Sequence, residues 1–118
     1  MRKLGATERA VMEILWEHPG GASAREVTIG LPQELAMTTV LTVLDRLRRK
    51  GLVRREPAGR RFRYLAAAGK ADYVSALMVE ALGTEADSHV VLERFVQAVS
   101  PEQVEALRRL LDDPPEAD

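Results

Sequence analysis

AMTTVLTVLDRLRRKG, residues 36–51, reads as a helix although it places threonine at positions 38, 39 and 42. Threonine is β-branched and a mediocre helix former, so three of them in two turns need a reason. At about 100° per residue, Val40, Val43, Leu44 and Leu47 gather in one apolar arc, the signature of a core-facing stripe. Thr38, Thr39, Thr42, Asp45, Arg46 and Arg49 fall on the opposite face. The threonines are therefore displayed rather than buried, and arginines stand beside them. Gly51 follows where a left-handed residue would end the helix.

Downstream, LVRREPAGRRFRYLAA changes to a period of two. EPAG reads as a turn, and the alternation Arg61, Phe62, Arg63, Tyr64 puts the rings on one face and the arginines on the other. This is a β-hairpin with an arginine-rich tip, and Pro57 suits an edge rather than a central strand. Upstream, ATERAVMEILWEHPGG gives a first helix with Thr7 as its cap and Ala10, Val11, Ile14 and Leu15 inward, stopped by HPGG. Trp16 reads as core or semi-core. SAREVTIGLP opens with a capping box, Ser23 with Glu26, and places Val27 and Leu31 inward before Gly30 and Pro32 end it.

From Gly69 the period is helical again. One stripe carries Val74, Leu77, Met78, Ala81 and Leu82; a second carries Val91, Leu92, Phe95, Val96 and Val99. A third helix begins with Ser100 as cap and Pro101 at its first position, and carries Val104, Leu107, Leu110 and Leu111. The acidic tail DDPPEAD is expected to fray. The expected division is a compact domain over residues 1–67 and a helical region with a frayed acidic tail over residues 68–118.

The net charge of −1 conceals an asymmetry: nine basic residues lie between Arg46 and Arg63, opposed only by Glu56. A basic block within a folded pattern is the electrostatic footprint of a polyanion site. The 118 residues contain no cysteine, which excludes disulfides, thiolate metal sites and a cysteine nucleophile. No apolar run approaches the roughly 18 residues of a membrane span, and MRKLGATER lacks the apolar segment of a signal peptide. The expectation is a soluble, cytoplasmic protein. His18 and His89 stand apart from any catalytic motif, and no glycine loop would cradle a phosphate. No enzyme activity, cofactor or metal is expected.

Three helices followed by a two-stranded hairpin is the order of a winged helix-turn-helix. In that architecture the third helix enters the major groove of DNA. Thr38, Thr39 and Thr42 are then candidate base contacts, since threonine offers a hydroxyl and a methyl that can meet a thymine methyl. Arg46, Arg49, Lys50, Arg60, Arg61 and Arg63 are candidate backbone contacts. The apolar stripes beyond residue 68 suit pairing with a second copy, with Leu77, Met78, Leu92, Phe95, Val96, Leu107, Leu110 and Leu111 at the interface. The alternative is a winged-helix protein-interaction module that does not read DNA sequence.

LGATERAVMEILWE, AMTTVLTVLDRLRRKGLV and GRRFRYLAA resemble the penicillinase-repressor (BlaI/MecI/CopY) family of bacterial regulators. The resemblance spans nearly the whole chain and is strongest in the third helix and wing. It implies a homodimeric repressor on a pseudo-palindromic operator, mainly helical with a small hairpin. It also implies base contacts at Thr39 and Thr42 and wing contacts around Arg60 and Arg61. Relatives often carry lysine where this chain has Thr38. Copper-responsive members use a cysteine-rich metal hook that this chain lacks. β-Lactam-responsive members are released when a membrane-bound sensor metalloprotease leads to cleavage at an Asn–Phe bond. Arg94–Phe95 stands at that place here, and the chain has no asparagine.

Overall fold

The computed structural model describes residues 4–83 and 87–116. The extreme amino terminus and the last two residues of the acidic tail lie outside the described residues. The elements run α1 (Ala6–Glu17), β1 (Ala22–Ser23), α2 (Ala24–Gly30), α3 (Met37–Arg49), β2 (Val53–Ala58), β3 (Arg61–Ala66), α4 (Lys70–Leu82), α5 (Ser88–Ala98) and α6 (Pro101–Asp112). The fold is mainly helical with one small antiparallel sheet in the order β1-β3-β2. The chain forms two compact units, Met1–Met78 and Val79–Asp118.

In the first unit, α1 starts earlier than Thr7 would allow. Its N-cap is Gly5, whose backbone N–H donates to Glu8 Oε1 at 3.1 Å. The third-position carboxylate thus reaches back to the cap and pulls Thr7 inside the first turn. The second helix opens as its sequence demands: Ser23 Oγ accepts the Glu26 N–H at 3.1 Å, and Glu26 Oε1 accepts the Ser23 N–H at 2.9 Å. The stop of α3 is a Schellman motif. Gly51, at φ 81°, donates to the Arg48 carbonyl, and Leu52 donates to the Leu47 carbonyl, both at 3.0 Å. Leu47 and Leu52 are both buried, which supplies the apolar contact of that motif.

The hairpin is longer than its sequence suggested. Glu56 and Pro57 belong to β2, and Pro57 pairs with Phe62, leaving Gly59 and Arg60 as a two-residue turn. Gly59 has φ 68° and Arg60 has no positive φ, the pattern of a type II′ turn. Two-residue turns of this kind match strand twist, so pairing extends past the proline. Pro57 lies on the edge strand, where a missing N–H costs no ladder bond. β1, only two residues long, pairs with β3 through Ala22–Tyr64 and Ser23–Arg63.

The core centres on Val11, Met12, Leu15, Val27, Val40, Leu44 and Leu47, all fully buried. Met12 comes from α1 outside the expected stripe, and Leu31 and Ile14 pack at the margin. The start of α4 joins this core. Tyr73 is buried, and Val74 and Leu77 pack against the cluster. Trp16 is partly buried against this cluster: its ring is 5.4 Å from that of Tyr73, and its Nε1 donates to the Ala68 carbonyl at 3.0 Å. The first unit therefore extends beyond residue 67. Leu77, expected at an intermolecular interface, is partly covered by the core of its own chain.

In the second unit, Ser100 and Gln103 form a reciprocal capping box at the start of α6, with Pro101 at its first position. Neither α5 nor α6 contains a buried residue. Residues 114–116 of the tail have no regular structure.

Candidate nucleic-acid interface

Burying Val40, Val43, Leu44 and Leu47 fixes the rotation of α3 about its axis. The opposite face then presents Thr38, Thr39 and Thr42, all exposed. Thr42 Oγ1 donates to the Thr38 carbonyl at 2.9 Å. Its hydroxyl proton is thus committed within the helix, leaving its methyl and acceptor lone pairs to an outside partner.

The basic block divides into tethered and free cations. Asp45 binds Arg48 through Oδ1 and Arg49 through Oδ2, each at 3.0 Å. Arg54 lies 3.6 Å from Glu56, and the Arg55 guanidinium stacks 4.1 Å above the Phe62 ring. Arg46, Arg60, Arg61 and Arg63 are exposed and make no ion pair among the described residues. They lie on α3, at the turn and along β3, as a helix-and-wing surface requires.

Lys50 has a different place from the one its sequence suggested. Its ammonium is 2.7 Å from Glu8 Oε2, and both side chains are largely covered. The hydrogen bond from Lys50 holds the Glu8 carboxyl below the usual carboxylate range, with smaller help from the Gly5 N–H and Arg46. Lys50 therefore braces the end of α3 against the start of α1. Glu26 is also lowered, first by the Ser23 backbone N–H, which records its role in the cap.

Between α2, α3 and the wing lies an open groove of about 400 Å³, whose lining includes Arg25, Met37, Leu41, Arg61, Phe62 and Tyr64. Arg25 was not among the sequence candidates. It lies outside the dense basic run, and only the fold brings α2 beside the wing.

In the second unit, Leu92, Val96, Leu110 and Leu111 are exposed, as is Met78 in the first. Phe95 and Leu107 are half-covered, and Arg94 is exposed within α5. No group of three or more metal-binding side chains gathers among the described residues.

A sequence model of the penicillinase repressor family matches residues 4–113. The chain belongs to this family. The transcriptional regulator BlaI of Mycobacterium tuberculosis is 39% identical over 116 residues, covering 94% of this chain and 84% of that protein. Among solved structures, this family member is similar to the monomeric form of Bacillus licheniformis BlaI in complex with the blaP half-operator. That match has 28% identity and a TM-score of 0.51, over 61% of this chain and 89% of that one. MepR, a transcription regulator of the Staphylococcus aureus multidrug efflux pump MepA, shares the fold at 19% identity with a TM-score of 0.55, over 93% and 76% of the two chains.

Proposed function

We propose that this protein is a transcriptional repressor that binds double-stranded operator DNA as a homodimer. The observation that carries the reading is the exposed face of α3: three threonines stand beside Arg46, with Arg60, Arg61 and Arg63, which have no ion-pair partner among the described residues, on the adjoining wing. The threonines, led by Thr39 and Thr42, read base edges. Arg46, Arg49 and the wing arginines hold phosphates, Arg49 after exchanging Asp45 for the backbone. Family membership and the operator complex of the Bacillus relative support this.

Dimerisation is supported by the apolar surface of the second unit, where Leu111 is 78% and Leu110 52% exposed. Release by a membrane-bound sensor metalloprotease at Arg94–Phe95 accompanies the reading. That bond lies inside α5, so cleavage requires the helix to open locally. No helix among the described residues is long and apolar enough to cross a membrane, which suits a protein that meets DNA in the cytoplasm.

The test is a selection from sheared genomic DNA of the source organism at about 150 mM salt, where non-specific electrostatic binding is already weakened. A short two-fold motif upstream of a few genes is the expected result. Recovery without a motif would reduce the protein to a non-specific binder. No recovery would move it to the protein-interaction class.

A further inference from the structure

The exposed arc of α3 carries three kinds of hydrogen-bonding group. The threonine hydroxyls accept or donate, and the arginines only donate. Asp45 alone on this helix only accepts, and it is the sole acidic residue between Glu34 and Glu56. Thr38, Thr42 and Asp45 recur at i, i+4 and i+7, which places them in one line along the helix. Asp45 thus continues the row of candidate base contacts by one turn.

A carboxylate in a surface built for phosphates is unfavourable unless it meets a donor. Asp45 is held in place by two arginines, one on each oxygen at 3.0 Å. The Arg48 pair fixes its direction, and it remains when Arg49 turns from Oδ2 to a phosphate. An ionised carboxylate has about four acceptor positions, so the two bonds leave capacity on both oxygens. The side chain is 39% exposed, enough to receive a further donor from outside.

In the major groove the donors are the exocyclic amino groups, N4 of cytosine and N6 of adenine. Guanine O6 and N7 and thymine O4 are acceptors. We propose that Asp45 is a specificity-determining residue that requires an amino-bearing base, cytosine above all, at one position of each half-site. It rejects guanine and thymine there because two acceptors would face each other without a proton. This inference rests on the DNA-reading function proposed above and adds the polarity that the threonines alone do not impose.

The experiment repeats the genomic selection with the full-length wild type, Asp45→Asn and Glu56→Gln. Binding is then measured to the recovered duplex, to duplexes changed at single positions, and to a shuffled duplex. The Asn variant presents a donor as well as an acceptor. It is expected to lose the base preference at one position per half-site, with discrimination there falling on the order of tenfold. Glu56→Gln removes the same charge from the wing and is expected to leave the motif unaltered. A cytosine requirement lost only in Asp45→Asn sustains the proposal, because an amide pairs as readily with adenine. An Asp45→Asn motif identical to that of the wild type overturns it. So does an equal rise in affinity for selected and shuffled duplexes in both variants, which would make Asp45 a source of general repulsion only. Either result leaves the repressor reading standing. Absence of any wild-type motif would remove both.

Discussion

At the scale of single residues, the threonines and the Glu8–Lys50 pair lead to separate measurements. Thr42 spends its hydroxyl proton on the Thr38 carbonyl, so its methyl is the group most available to a base. Thr42→Ser keeps the hydroxyl and removes the methyl. It is expected to lower discrimination between operator and shuffled DNA by about 1 kcal/mol, the low end for a base contact. Equal weakening on both duplexes would remove Thr42 from base reading. The Glu8 carboxyl is held low in the fold, first by Lys50. Its stabilising contribution is therefore complete above the unfolded carboxylate range and disappears as pH falls through the lower folded value. Lys50→Met, which leaves a covered carboxylate without its cation, is expected to cost about 2 kcal/mol near neutral pH. The deficit should shrink on acidification. Urea unfolding of both proteins at about pH 7 and about pH 3.5, on either side of the ordinary carboxylate value, checks this.

At the scale of elements, the end of α3 and the tip of the wing are set by turn chemistry. Gly51, at φ 81°, has no atoms near a would-be Cβ, so the cost of a side chain there is conformational rather than steric crowding. Gly51→Ala is expected to destabilise the fold by about 1–2 kcal/mol through left-handed strain. A thermal midpoint equal to that of the wild type would show that the chain ends α3 another way. Arg60, at the second turn position, and Arg61 beside it project from the hairpin as exposed cations. Arg60→Ala and Arg61→Ala should weaken binding to all duplexes alike, each lowering the salt dependence by about one ion. An unchanged slope would take the wing off the backbone.

At the scale of the whole molecule, the second unit leaves its apolar helices uncovered. Leu111 is more exposed than Leu107, which is half-covered. Leu111→Asp is thus the cleaner probe of the proposed association: it places a charge on that apolar surface without first disturbing the monomer. Sedimentation is expected to show a monomer with unchanged helical content. A persistent dimer would exclude Leu111 from the interface. Loss of the dimer should also weaken operator binding steeply, because two half-sites then bind independently.

Local order in the sequence determined much of this protein. The periodic stripe of α3, the capping boxes at Ser23 and Ser100, the glycine stop at Gly51 and the alternation of β3 each follow from interactions within a few residues. These made the winged helix and its threonine face legible. Only the tertiary structure decided which charges are free. Lys50 meets Glu8 across 42 positions, Tyr73 and Leu77 return to the first core, and the two residues of β1 carry no periodicity of their own. Partners far apart in sequence leave no local pattern, and burial that depends on them appears only once the chain has closed upon itself.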